Sequence, residues 1–163
     1  MITVGILTMS DKGSRGERED LSGKEIERMI KDLPAEVMAY EVIPDETDII
    51  KAKIKEFVDK KKLDLILTTG GTGVSPRDVT PEATRAVIEK ELPGMAEVMR
   101  AESLKKTPNA MISRAVCGIR KQSLIINLPG SPRAVRENLS VVLPAISHAV
   151  EKIKGSQEEC GKA

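Results

Sequence analysis

Short apolar runs alternate along the chain with longer stretches whose apolar residues recur at helical spacing. Four of the runs are too short for helices and are bounded by polar or turn-forming residues, which is typical of buried strands. They cover residues 2–8, 37–43, 63–67 and 123–128. This alternation predicts an α/β fold in three layers, with a mostly parallel sheet between helices on both faces.

Helix signals fill the segments between these runs. Ser22 and Glu25 have the spacing of a capping box, and Thr80-Pro81 would place an N-cap residue before a proline in the first turn. Ser131 before Pro132 repeats that signal. The predicted helices cover residues 22–32, 49–58, 81–90, 95–105, 110–115 and 132–154, the last with a break near Pro144.

Size and composition favour one domain and exclude several classes of partner. We expect a domain over residues 1–154 and a polar tail over 155–163. The net charge of +1, with no Trp, one Tyr and one Phe, offers neither the field nor the stacking surfaces that nucleic acid needs. No apolar run approaches membrane-spanning length, which argues against a membrane partner. The two cysteines form no C-x-x-C motif, so reduced thiols and a cytoplasmic location are expected.

Polar chemistry is concentrated directly after the apolar run at 63–67, in the segment T-T-G-G-T-G-V-S-P-R-D. It is neither a P-loop nor a dinucleotide fingerprint. Glycines here fit a plain tight turn, and they equally fit a nest of backbone N–H groups for an anion. The loop also carries Thr72, Ser75, Arg77 and Asp78, which favours the anion-binding alternative.

Two more carboxylates follow predicted strands. Asp11 lies just past the first strand and Asp45 just past the second. Ligands of open α/β sheets bind beyond the carboxyl ends of the strands, so we expect both residues near the glycine loop. Asp45 could instead cap the following helix. The residues therefore indicate a domain that binds a phosphate-bearing ligand, with carboxylates available for Mg²⁺.

The motifs taken together resemble one family over roughly residues 2–154. T-T-G-G-T-G followed by R-D-V-T-P-E-A-T, I-P-D at 43–45, L-P-G-M at 92–95, I-R-K-Q at 119–122 and N-L-P-G-S-P at 127–132 are similar to the MogA/MoaB family of molybdopterin adenylyltransferases. The G domain of gephyrin shares this likeness.

The resemblance implies a reaction: transfer of AMP from ATP to the terminal phosphate of molybdopterin, with release of pyrophosphate. It implies that Asp45 and Asp78 are catalytic and hold Mg²⁺. It assigns the nucleotide or phosphate to Asp11, Gly70, Gly71, Thr72, Gly73 and Ser75, and the pterin to Ser113, Arg114, Asn127, Pro129, Gly130 and Ser131.

The resemblance also implies a homotrimer, for which a face carrying Met95 and Met99 is a candidate contact, and a hand-over of product to a MoeA-type metal-insertion protein. Two other functions stay open. A pterin-binding carrier or an assembly module can share this fold without catalysing adenylyl transfer.

Overall fold

Six strands form one sheet in the order β2-β1-β3-β6-β5-β4 in the computed structural model of the protein, which describes residues 1–157. In chain order, β1 to β6 are Ile2–Met9, Ala35–Ile43, Leu65–Thr69, Lys90–Glu91, Cys117–Arg120 and Ser123–Leu128. The first four strands of the spatial order are parallel, and β5 runs antiparallel to both β6 and β4. The predicted mostly parallel sheet is confirmed, whereas β4 and β5 were not predicted.

Helices connect the strands and cover both faces of the sheet. In chain order, α1 to α6 are Asp11–Ser14, Leu21–Ile30, Thr47–Lys55, Thr80–Val87, Pro93–Leu104 and Pro132–Ile153. A π-helical turn, Glu56–Lys60, continues α3, and a 3₁₀ turn, Pro108–Ile112, follows α5. Among the described residues, no helix is both long and apolar enough to cross a bilayer.

Two apolar cores lie on opposite sides of the sheet, because successive strand residues point to opposite faces. Leu65 and Leu67 are buried with residues of α2, α5 and α6. Ile66 is buried on the other side with residues of α3 and α4, including Phe57 of the π turn. The three-layer arrangement predicted from the sequence is therefore confirmed.

Two predicted helix caps are wrong. Helix α2 begins at Leu21, and the capping side chain is Asp20, which accepts a hydrogen bond from the Gly23 N–H at 2.9 Å. Ser22 consequently lies inside the helix. Thr80 is the first residue of α4, and its hydroxyl donates to the Gly70 carbonyl at 2.9 Å. The Ser22 hydroxyl donates to Asp20, the residue that does cap α2, whereas the Thr80 hydroxyl is held by the loop that precedes α4.

Three other helix predictions also differ from the structure. Helix α6 continues through Pro144, whose side chain is exposed, so the Ser140 carbonyl that loses its partner lies on the solvent side. Helix α4 stops at Val87, because the chain then enters β4. The helix predicted over 110–115 is the 3₁₀ turn.

The predicted methionine face is not a surface. Met99 is only 1% exposed and belongs to the core below α5, whereas Met95 packs partly against that core. Met99 is therefore unavailable as a subunit contact. Of the predicted tail, residues 158–163, including Cys160, lie outside the described part of the chain.

Candidate active site

A cavity of about 900 Å³ opens at the carboxyl edge of the parallel strands. Loops that follow β1, β2, β3 and β6 line it. After β1 the chain continues to β2, which neighbours β1 in one direction along the sheet. After β3 it continues to β4, which lies in the opposite direction, beyond β6 and β5. The cavity thus lies at the point where the strand order reverses, the usual ligand position in open α/β sheets.

Asp11 and Asp45 hold each other in place across two loops. The Asp11 N–H donates to Asp45 Oδ2 at 3.0 Å, and the Asp45 N–H donates to Asp11 Oδ1 at 3.0 Å. The N-cap position of α3 belongs to Glu46, which makes no side-chain capping bond. Asp45 is therefore not the cap of that helix, and its carboxylate belongs to the cavity wall.

Arg77 joins the loop after β3 to the loops after β1 and β2. Its Nε donates to Asp11 Oδ2 at 3.1 Å and its Nη2 to Asp11 Oδ1 at 3.0 Å. The same Nη2 donates to Glu46 Oε1 at 2.8 Å. The Arg77 hydrogen bonds lower the pKa of Asp11, so this carboxylate stays ionised.

The electrostatic environment of Asp45 is the opposite of that of Asp11. Burial, together with the negative charges of Asp11 and Asp78, raises the pKa of Asp45, although the backbone N–H of Asp11 and the charge of Arg77 act against the rise. Asp78 lies in the glycine loop, where its Oδ2 accepts a hydrogen bond from the Ser75 N–H at 2.9 Å. A positive charge bound between Asp45 and Asp78 would relieve this repulsion.

The glycine loop comes close to these carboxylates because two of its residues, Gly71 and Gly73, have no side chain. Gly71 has a φ of +68°, and a Cβ there would meet the Thr80 hydroxyl and lie 3.1 Å from Asp45 Oδ1. A Cβ on Gly73 would lie 2.8 Å from Asp78 Oδ2. Glycine is therefore required by close approach, and not only by the turn itself.

The structure brings together most, but not all, of the predicted site residues. The cavity is lined by Asp11, Asp45, Gly70, Gly71, Ser75, Asp78, Gly130 and Ser131. The predicted residues that do not line it are Thr72, Gly73, Ser113, Arg114, Asn127 and Pro129.

Arg114 holds the glycine loop from its outer side. Its Nε donates to the Gly73 carbonyl and its Nη2 to the Asp78 carbonyl, both at 2.7 Å, and its Nη1 pairs with Glu82. Ser113 and Arg114 line a separate cleft of about 420 Å³. These contacts place Arg114 behind the loop that carries Asp78.

Asn127 lies beneath the site in a fully buried polar network. Its Nδ2 donates to the hydroxyls of Thr68 at 2.9 Å and Thr84 at 3.0 Å, and its Oδ1 accepts from the Val116 N–H at 3.1 Å. Just beyond it, Thr69 donates to the Pro129 carbonyl at 2.6 Å. These bonds fix the floor below Gly130 and Ser131.

The loop after β1 supplies cavity-lining side chains that sequence reasoning did not single out. Lys12, Arg18 and Glu19 line the cavity, together with Leu21 at the start of α2. Asp20 accepts hydrogen bonds from the hydroxyls of Thr8 and Tyr40, and so anchors this segment to the sheet. The signal available in the sequence was the density of charged residues between Asp11 and Asp20.

The carboxylates of the cavity fit an Mg²⁺ ion whose other ligands are substrate phosphates. Within the described residues there is no group of three His, Cys, Asp or Glu side chains arranged for a metal. Mg²⁺ in phosphoryl-transfer sites is commonly held by one or two carboxylates and by substrate phosphates. Asp45 and Asp78 meet that requirement.

Comparisons with known proteins agree with this site. The profile of a family described as "Probable molybdopterin binding domain" matches residues 5–148. The molybdopterin adenylyltransferase of Helicobacter pylori J99 is 48% identical over 95% of this chain and 89% of its own. Gephyrin of Dictyostelium discoideum is 48% identical over 90% of this chain, but only 22% of its own length. The solved structure of MoaB from Thermus thermophilus is 52% identical, covers 96% of this chain and 98% of its own, and superposes with a TM-score of 0.91.

Fold, cavity and similarity together define the class: this chain belongs to the MogA/MoaB family of molybdopterin-binding proteins of molybdenum cofactor biosynthesis. Several curated members at 42–48% identity are named molybdopterin adenylyltransferase. The resemblance predicted from the motifs is therefore confirmed.

Proposed function

We propose that the protein transfers AMP from ATP to the terminal phosphate of molybdopterin, forming adenylyl-molybdopterin and pyrophosphate. The observation that carries this proposal is the cavity that the carboxylates of Asp45 and Asp78 line together with Gly70 and Gly71. Support comes from the relatives of 42–48% identity that carry the name of this activity.

The reaction requires the protein to bring two anions together, the phosphate of molybdopterin and the triphosphate of ATP. An oxygen of the molybdopterin phosphate attacks the α-phosphorus of ATP, and the bond from that phosphorus to the oxygen bridging to the β-phosphorus breaks. Pyrophosphate leaves with the electron pair of the broken bond. No covalent enzyme intermediate is needed, so positioning and charge supply the catalysis.

The charge of the cavity indicates that a bound cation is needed for this reaction. Five acidic and three basic residues line it. The acidic ones are Asp11, Glu19, Asp20, Asp45 and Asp78, and the basic ones Lys12, Arg18 and Arg77. A wall with an excess of carboxylates repels a triphosphate unless positive charge is added. Mg²⁺, held by Asp45 and Asp78 when bound, would supply that charge and draw the phosphates to these two residues.

We assign the two ends of the cavity to the two substrates. Asp11, Gly70, Gly71 and Ser75 form the nucleotide side, and Thr72 and Gly73 continue the glycine loop behind it. Gly130 and Ser131 form the pterin side, at the start of the long helix α6, whose N-terminus favours a phosphate. Asn127 and Pro129 would support this side from below, and Arg114 would hold the glycine loop from outside, with Ser113 beside it in the separate cleft.

The direct test is to incubate the protein with molybdopterin, ATP and Mg²⁺ and to measure adenylyl-molybdopterin by chromatography. Asp78→Asn should reduce the rate by about 10³-fold, because it removes charge at the reacting phosphates. Asp48→Asn is the matched control, since Asp48 is exposed on α3 and does not line the cavity. Normal turnover by Asp78→Asn would refute the assignment. Tight pterin binding by the wild type without adenylate formation would make the protein a carrier.

Titration of molybdopterin distinguishes the two sides of the cavity. Asp45→Ala should keep the affinity for molybdopterin within about threefold while abolishing adenylation, because Asp45 serves the nucleotide side. Ser131→Trp should weaken pterin binding by filling the other side. If Asp45→Ala abolished pterin binding and left the nucleotide chemistry intact, the two sides would have to be exchanged.

We further propose that the chain assembles as a homotrimer through an apolar surface on α5 and the 3₁₀ turn that packs against it. Its exposed residues are Val98, Leu104, Met111 and Ile112, which are 40–69% exposed. Contiguous exposed apolar side chains commonly mark association surfaces. The reaction would take place in the cytoplasm, where Cys117 stays reduced, and the product would pass to a MoeA-type metal-insertion protein.

A further inference from the structure

Three carboxylates, those of Asp11, Asp45 and Asp78, come from three loops and reach the same cavity. These three carboxylates differ in the hydrogen bonds that they already accept. Asp45 and Asp78 each use one oxygen, Oδ2, to accept a single backbone N–H. Asp11 uses both oxygens, since the Arg77 fork binds each of them and the Asp45 N–H binds Oδ1 as well.

The Arg77 fork is held in place by more than Asp11. Its Nη2 also bonds Glu46, so the guanidinium bridges the loops after β1 and β2 from its own position after β3. A planar fork that bonds both oxygens of a carboxylate is stronger and more directional than a single contact from an ammonium group. The ionised Asp11 is consequently paired with the positive charge of Arg77 and fixed at the rim of the site.

The geometry points to Arg77 as a positioning residue that withholds Asp11 from cation binding and so reserves the site for the Asp45 and Asp78 pair. This inference rests on the proposed cation site. Arg77 itself lines the cavity, but its described hydrogen bonds go to Asp11 and Glu46 and not to Asp45 or Asp78. Without the fork, the Asp11 carboxylate would be released to turn toward Asp45 and Asp78 as a third ligand, and a divalent cation would then bind without help from substrate phosphates. Such a cation would be held too tightly and in a different place.

The test is the affinity of the substrate-free protein for Mn²⁺, measured by the electron paramagnetic resonance signal of the free ion. Arg77→Gln should bind Mn²⁺ at least tenfold more tightly than the wild type. Loss of one nearby positive charge acting through water accounts for about fivefold, and release of Asp11 as a ligand supplies the remainder. Arg77→Lys should fall between the two, because one ammonium group cannot occupy both Asp11 oxygens.

Arg85→Gln is the matched control. The Arg85 side chain is 58% exposed against 55% for Arg77, and it pairs with a carboxylate, that of Glu91, outside the cavity. This variant should leave the affinity for Mn²⁺ within about twofold of the wild type, because a distant exposed charge is largely screened.

A double-mutant cycle isolates the role of Asp11. In the background of Asp11→Asn, the change Arg77→Gln should tighten Mn²⁺ binding by no more than the fivefold due to charge. An equal gain in both backgrounds would overturn the inference, since Arg77 would then act only through its positive charge and not through Asp11. So would a Mn²⁺ affinity of Arg77→Gln equal to that of the wild type.

Failure of this inference is separable from failure of the proposed function. Adenylate formation by the wild type, together with unchanged Mn²⁺ binding in Arg77→Gln, would remove only the role of Arg77. The expected Mn²⁺ cycle in a wild-type protein that forms no adenylate would remove only the adenylyl transfer.

Discussion

Replacing Asn127 by alanine tests whether this residue supports the site or contacts the ligand. The substitution deletes three buried hydrogen bonds, to Thr68, Thr84 and the Val116 N–H. The Val116 N–H is then left without its acceptor in a fully buried place, which costs about 1–3 kcal/mol. Each threonine hydroxyl loses a bond worth about 0.5–1.5 kcal/mol. The free energy of unfolding should therefore fall by about 2–6 kcal/mol.

This loss is large compared with the whole stability of a domain of this size, which is about 5–15 kcal/mol. A fall of about 4 kcal/mol should lower the melting temperature by roughly 8–16 °C. Urea unfolding followed by circular dichroism measures the free energy, and an unchanged slope with urea shows that the two-state treatment holds.

Asn138→Ala provides the comparison. Asn138 is also buried, but its amide bonds Ser103 and the Ala134 carbonyl, on the side of α6 that faces α5. This variant should be destabilised and still adenylate at temperatures where it is folded. If Asn127→Ala lost less than about 1 kcal/mol and yet lost pterin binding, the supporting role would be refuted and the sequence-based assignment of Asn127 as a ligand residue would stand.

Three further outcomes are expected. Burial of the Asp64 carboxylate raises its pKa, but the hydrogen bonds from Lys154 and Thr3 together outweigh burial, so the pKa is lowered. The stability that the ionised Asp64 contributes is therefore complete above its ordinary pKa and is lost as pH falls through the lower value in the fold. Asp64→Asn should accordingly flatten the acid limb of a plot of urea midpoint against pH, and an unchanged limb would contradict this. Met111→Glu should shift the mass measured by light scattering from near three times 17.7 kDa toward one chain, whereas a persistent trimer would place the interface elsewhere. Gly71→Ala should lower both melting temperature and adenylation, because φ is +68° and the Cβ has no room, whereas Gly94→Ala has open space and should be neutral or stabilising; equal effects of the two changes would refute the role of close approach.

The sequence allowed prediction of those elements of the fold that produce a local pattern of apolar residues. The strands near 2–8, 63–67 and 123–128 are continuous apolar runs because they are buried on both faces of a parallel sheet. Strands β4 and β5 escaped prediction since they are short and partly exposed, and the pairing that defines them is antiparallel at the edge.

Helix boundaries failed where tertiary contacts competed with local preference. Thr80 has every local property of an N-cap, yet its hydroxyl is drawn to the Gly70 carbonyl. Pro144 has the composition of a helix break, yet α6 continues because its exposed side tolerates the missing hydrogen bond. Neither outcome can be derived from residues within one turn.

The candidate site divides in the same way. Asp45, Asp78 and the glycines were found because strand ends and turn residues are local signals. The hydrogen bonds of Arg77 to Asp11 and Glu46, and those of Arg114 to Gly73 and Asp78, were not found, because they join residues that are 31 to 66 positions apart in the chain.

The ion pair between Lys154 and Asp64 has a consequence for how this fold can be built into larger proteins. Asp64 also accepts from the Thr3 N–H and hydroxyl, so the end of α6 lies beside the first residues of β1, at the edge of the sheet away from the cavity. Because Thr3 and Lys154 lie together on that side, polypeptide joined before the one or after the other would start away from the cavity, and the domain could be spliced into a host protein there. The match to about a fifth of gephyrin shows a sequence of this type carried within a much longer chain.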